Sequence, residues 1–166
     1  MEEILKISDG LFFLDSGAFS FRTKALEYSK SHKGDRWGFY DAPEFWEYCK
    51  AYAEFVIKHK DYIDYYANVD VIGNPEYTYR NQKFFEKEYG LRPVPVVHFG
   101  ADLAWLSRYM DEGYDLVALG GLAGGAGRAS DWIDLCFELI CDQPSRLPKI
   151  RTHGFGVTSH QDLIRY

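Results

Sequence analysis

Five times along the chain a short apolar run is followed by a stretch with helical periodicity, and this alternation constrains the fold more than any other feature. The runs lie in "LFFLDSG", "YIDYYANVDVIG", "PVPVVHFG", "DLVALGG" and "KIRTHGFGV". Each reads as a strand, with Leu11 to Leu14 as a buried one. In "APEFWEYCKAYAEFVIKHK" the residues Phe45, Cys49, Tyr52 and Val56 recur at i, i+4, i+7 and i+11, the single apolar stripe of an amphipathic helix. Asn74-Pro75 supplies an N-cap and a first-turn proline for "PEYTYRNQKFFEKEYG", and Gly90 stops it. Asp102 and Ser130 are predicted caps of the next two helices, Gly113 is the stop of the first of these, and Ser159 opens a last helix. Helices between successive strands require parallel pairing through right-handed crossovers, so the predicted class is α/β. A (β/α)8 barrel and a doubly wound open sheet both satisfy this pattern. All five strands end in polar or glycine residues. A barrel gathers such ends at one mouth, which favours a partial TIM barrel of about five βα units, residues 1–166 forming a single domain.

The composition, 46% hydrophobic and 17% aromatic over 166 residues, supports one domain with a real core. No apolar run approaches membrane-spanning length, and "MEEILKISDG" has no basic start or apolar core of a secretory leader. The expectation is a soluble, cytoplasmic protein without a membrane partner. Cys49, Cys136 and Cys141 have neither CxxC nor zinc-ligand spacing and are read as reduced core thiols. A net charge of −6 gives no overall polyanion signature, so nucleic-acid binding has to rest on a local patch. Residues 21 to 40 carry Arg22, Lys24, Lys30, Lys33 and Arg36 against Glu27 and Asp35. This segment is read as a long basic loop leaving the active-site end of its strand, either a solvated insert or a phosphate-contacting element.

The strand ends supply the candidate site: Asp15-Ser16-Gly17, Asn68 and Asp70, His98, Gly120-Gly121, and His153-Gly154. Asp15 is either a cap of the adjoining turn or a site carboxylate, and Asp70 either bonds its own turn or reads a ligand. His98 and His153 are each either satisfied structural histidines or site residues. "GGLAGGAG" lies between strand and helix as a flexible loop or a phosphate cradle, but it lacks the lysine of a nucleotide P-loop. Two carboxylates with a glycine pair suit a flat heterocycle presenting N–H donors, because Asp accepts from an N–H edge and glycine admits close backbone approach. A guanine-like base is the natural match, and carboxylates beside a glycosidic bond also serve acid/base and nucleophilic chemistry.

At these residues the sequence resembles the tRNA-guanine transglycosylases. "DSGAFS" is similar to their DSGGF-type motif, "VDVIG" to their strand ending in a base-reading aspartate, "LGGLAGG" to their GGLA motif, and "HGFGVTSHQDL" to the GVGTP-type strand and turn, in family order from residue 11 to 166. The resemblance implies a (β/α)8 barrel that exchanges guanine in a nucleic acid for a 7-deazaguanine base, without a cofactor. It makes Asp15 the general base and places Ser16, Asp70, His98, Gly120, Gly121, Leu122 and His153 around the heterocycle. Lys24, Lys30, Lys33 and Arg36 are then the nucleic-acid contacts. His98 stands where the tRNA enzymes have glutamine, and the spellings GAFS and HGFGVTS are closer to the phage, DNA-modifying branch. The substrate nucleic acid is thus tRNA or DNA. The family's nucleophilic aspartate is expected beyond Tyr166, which makes the chain read as a truncated barrel, inactive alone and prone to pair with itself or a complementing chain. Its zinc site is also expected further on, so no metal is assigned. The rival readings are a non-catalytic nucleobase-binding subunit and a phosphate-binding barrel enzyme using Arg128.

Overall fold

Pro43 and Pro75 each stand in the first turn of a helix, where a missing N–H costs nothing. A computed structural model describes residues 10–122 and 129–157 of this chain. In chain order these form β1 (Phe13–Leu14), α1 (Ala18–Ser31), a 3-10 turn (Trp37–Asp41), α2 (Pro43–Lys58), β2 (Tyr65–Tyr66), α3 (Pro75–Tyr89), β3 (Val96–His98), α4 (Ala104–Asp111), β4 (Leu116–Gly120), α5 (Ser130–Ile140) and β5 (Arg151–Gly154). The class is α/β. The strands fall into two parallel sheets, β1–β2 and β3–β4–β5. The first sheet belongs to a unit spanning Met1–Pro93, the second to a unit spanning Val94–Tyr166. Among the described residues no helix is long and apolar enough to cross a membrane.

In the first unit, Phe13 pairs with Tyr65 and Leu14 with Tyr66, and Ala67 extends the ladder by donating to Leu14. This is shorter than the sequence suggests. Leu11, read as part of a buried strand, is 75% exposed, because the ladder gives it no cover. The core lies instead between the helices. Phe45, Cys49, Tyr52 and Val56 of α2 are all buried, together with Phe21 and Ala25 of α1, Phe39 and Tyr40 of the 3-10 turn, and Phe85 of α3. Asn74 accepts from Tyr77 N at 3.0 Å and Gly90 ends α3 with φ 64, both as the sequence indicates.

The basic segment is corrected by the structure. Residues 21 to 31 are not loop but most of α1, and only 32–36 connect it to the 3-10 turn. Ala18, Phe21 and Ala25 are the buried residues of α1, too narrow a stripe for periodicity alone to expose.

In the second unit, β4 is buried throughout and central, paired to β3 (His98 opposite Gly120) and to β5 (Ala118 opposite His153). Leu103 rather than Asp102 stands at the N-cap of α4, and Asp102, one residue earlier, accepts from Ala104 N at 2.9 Å. Ser130 does not cap α5. It is the first helical residue, and its hydroxyl turns to Asp131. The Asp115–Arg151 pair, 2.6 Å, sits before β4 and at the start of β5, the end opposite the glycines. Cys49, Cys136 and Cys141 are free thiols, the first two buried. Ser159 and Arg128, with the glycines between residues 123 and 128, lie outside the described residues.

Candidate functional site

Because β1 and β2 run parallel, the residues after Leu14 and those after Tyr66 emerge at one end of the first sheet. Asp15, Ser16, Asn68 and Asp70 are brought together there. Asp15 is exposed, and its carboxylate accepts a long bond from Gly17 N, 3.4 Å. Gly17 sits at φ 72, a left-handed conformation in which a side chain would be strained, and it starts α1 without a side-chain cap. Ser16 is fully buried. Its hydroxyl donates to Asp70 Oδ1 at 3.4 Å, and its carbonyl accepts from the Tyr48 hydroxyl at 2.8 Å. Asp70 is only 5% exposed.

Residues 68 to 71 lie beyond the ladder, so their backbone groups need other partners. α3 provides them from a polar stripe. Thr78 Oγ1 accepts from Val71 N at 2.9 Å, the Thr78 carbonyl accepts from Asn68 Nδ2 at 2.9 Å, and Asn81 Nδ2 donates to the Val69 carbonyl at 2.7 Å. Gln82 in turn donates to the Pro93 carbonyl at 2.9 Å. These residues fix the course of the chain through Asp70. A hydropathy reading passes over them, yet Thr78, Asn81, Gln82 and Phe85 fall at i, i+3, i+4 and i+7. That spacing is the signal by which they could have been found. Thr78→Val should leave Val71 N without its acceptor in a buried place, costing about 1–3 kcal/mol. Urea unfolding measures the loss, and unchanged stability would remove Thr78 from this role.

Three tyrosines surround the two carboxylates. Burial, and secondarily the Asp70 charge, push the Tyr40 phenol up to about 12, while Arg36 and Arg22 pull the other way. Burial raises Tyr48, with smaller contributions from Cys49 and Asp15. Burial also raises Tyr52, whose hydroxyl donates to the Ala67 carbonyl at 2.8 Å. All three stay protonated at neutral pH, and Tyr48 and Tyr52 act as donors, not bases. Asp15 and Asp70 are the acceptors at this end of the sheet.

The second unit has its own set. A Cβ on Gly120 would lie 2.9 Å from His98 Cδ2 and 3.0 Å from Val96 Cγ1, so the bare glycine makes room for the imidazole. Gly120 also accepts from Phe99 N at 2.9 Å, and Gly121 turns the chain at φ 76 before the buried Leu122. His153 lies one residue before the end of β5, in register with Ala118 rather than Gly120. A cleft of about 570 Å³ in this unit is lined by Phe137, Glu138, Cys141 and Arg146 among others. It lies at the C-terminal end of α5, ahead of β5, and holds none of the candidate residues.

The cations of the basic segment separate. Lys24 is paired with Glu44 at 2.6 Å, Lys30 and Lys33 are exposed, and Arg36 stacks on Trp37 with its guanidinium carbon 4.1 Å from the ring centroid. Among the described residues there is no group of three or more His, Cys, Asp or Glu able to hold a metal ion. Comparison with protein-family models, curated proteins and solved structures finds no match for the chain.

Proposed function

We propose that the chain reads a guanine-type base, guanine or a 7-deazaguanine, in a (β/α)8 barrel of the tRNA-guanine transglycosylase type that exchanges bases in a nucleic acid. The observation that carries this reading is the pair of aspartates at one end of the β1–β2 ladder, one exposed and one buried. Guanine presents adjacent N–H donors on its Watson–Crick edge, and a buried carboxylate is an acceptor-only partner for them. Asp70 fills that role, with Ser16 and the polar stripe of α3 keeping its place. Asp15, exposed and among the described residues bonded through Gly17 N alone, is placed to take a proton from the heterocycle, the task of a general base.

Calorimetric titration with guanine, 7-deazaguanine and adenine tests the reading. The first two should bind and adenine should not. Asp70→Asn turns one acceptor oxygen into a donor facing the ring's own N–H groups, and the affinity for guanine should fall on the order of 100-fold. Undiminished binding by the variant, or equal binding of adenine, would sink the proposal. In a longer version of the chain that carries the expected nucleophilic aspartate, incorporation of labelled guanine into guanine-bearing tRNA or DNA then reports on Asp15. Asp15→Asn in that version should retain base binding and lose exchange.

A further inference from the structure

Arg22 on α1 and Arg36 in the segment between α1 and α2 bring two guanidinium groups toward the end of the sheet where Asp70 lies. Trp37 opens the 3-10 turn, and its Cη2 is 4.0 Å from the point a Cβ on Gly73 would occupy, in the turn just after Asp70. The turn is held over that end from α3. Arg80 pairs with Asp41 and donates to the Tyr40 carbonyl at 2.8 Å, and the Tyr77 hydroxyl donates to Asp41 at 2.9 Å. Neighbouring carboxylates are already engaged. Asp41 is taken by Arg80 and Tyr77, Glu44 by Lys24, and Asp35 Oδ1 by Trp37 N at 2.9 Å and Gly38 N at 3.1 Å. Among the described residues Arg22 and Arg36 have neither an ion pair nor a hydrogen bond. Arg36 lies over the indole with its guanidinium carbon 4.1 Å from the ring centroid, and a guanidinium is the planar fork that matches two phosphate oxygens. Both arginines are near enough to the Tyr40 phenol to oppose the pull of Asp70 on it.

We infer that Arg36 on Trp37, together with Arg22, forms a phosphate-contacting face that holds the backbone of a single-stranded nucleic acid beside the Asp15–Asp70 end of the first sheet. The inference rests on the nucleobase reading for its choice of polyanion, since a base reached by Asp70 must be unpaired and its flanking phosphates come with it. It also changes which cations matter. Lys24, neutralised by Glu44, is replaced by Arg22.

Fluorescence anisotropy with labelled single strands of about 12 nucleotides, as DNA and as RNA, between about 50 and 200 mM salt, tests the face. The double variant Arg22→Gln/Arg36→Gln should bind at least about 10-fold more weakly at low salt. Its slope of log affinity against log salt should shrink by about 1.4, two single-strand phosphate contacts. Lys58→Gln/Lys60→Gln removes the same charge at the opposite end of the sheet, where α2 leads into β2, and should keep the wild-type slope. An equal loss of slope in both doubles would reduce the effect to net charge and overturn the inference, as would absence of oligonucleotide binding by the wild type. Equal affinity for DNA and RNA supports a phosphate contact alone, and tighter RNA binding supports the same face with a 2′-hydroxyl in reach. Free guanine is titrated in parallel. Arginine-dependent strand binding without guanine binding leaves this face standing and removes the base reading. Guanine binding without arginine-dependent strand binding does the reverse.

Discussion

Phe45→Ala is expected to destabilise the first unit by about 3–5 kcal/mol, the range for removing a fully buried phenylalanine. The side chain is 0% exposed. Its ring meets Tyr40 at 5.2 Å and Phe21 at 5.6 Å between centroids, both edge-on, and Phe39 at 6.2 Å. Those three partners come from α1 and the 3-10 turn, so one residue in the first turn of α2 seats both elements. Truncation leaves a cavity that rigid rings cannot collapse into, which places the cost at the upper part of the range. The urea midpoint should fall at an unchanged m-value. Proteolysis in the exposed connection at residues 32–36 should accelerate, because the turn that anchors it has lost its seat. Leu135→Ala on α5, where the side chain is 48% exposed, should change stability by less than about 0.5 kcal/mol. A loss below about 1 kcal/mol for Phe45→Ala would mean that α1 and the turn are held by something other than this aromatic cluster.

How much of the fold is legible in the sequence depends on how local each signal is. The stripe Phe45, Cys49, Tyr52 and Val56 is legible because a helix that buries one face repeats its apolar residues with the helical period. Asn74, Pro75 and Gly90 are legible because caps depend on the backbone within one turn. α1 is not legible, because its five nearby cations read as a solvated loop and its seat is made by Phe39, Tyr40 and Phe45, residues distant along the chain. Helices of this kind owe their stability to tertiary packing.

The strand lengths are hidden for a related reason. "YIDYYANVDVIG" reads as one run, but its ladder closes at Ala67, and beyond it Val69 and Val71 are held by side chains of α3. That substitution of side chain for strand depends on Thr78 and Asn81, whose polarity masks their burial. Asp15 and Asp70 stand out as candidates because a carboxylate at the end of an apolar run is conspicuous. Their different exposures separate an acceptor held in the interior from one open to solvent, and these are set by tertiary packing that no local pattern encodes.

Above about pH 9 the protein should lose stability steeply. Burial pushes the thiols of Cys49 and Cys136 from an ordinary value near 9 up to about 12, and the Tyr40 phenol from near 10 up to about 12. Tyr52 is raised by burial as well. All of these groups are neutral in the folded protein and charge more readily in the unfolded chain. As pH passes the unfolded values, the unfolded chain therefore binds fewer protons than the folded one, and the free energy of unfolding falls. Each group contributes a slope of roughly 1.4 kcal/mol per pH unit within its window. Their stabilisation is complete below about pH 9 and is progressively lost as pH rises toward 12. Urea midpoints should accordingly be flat from about pH 7 to 8.5 and decline beyond. In Cys49→Ala that decline should be shallower, since one of the titrating groups is gone. A thiol reagent at about pH 8 gives an independent check, because thiolate character and access together set the rate. Cys141, partly exposed, should react in the folded protein, whereas Cys49 and Cys136 should wait for unfolding. If all three react at one rate under native conditions, the two thiols are not enclosed as described, and the alkaline slope must then arise from the tyrosines alone.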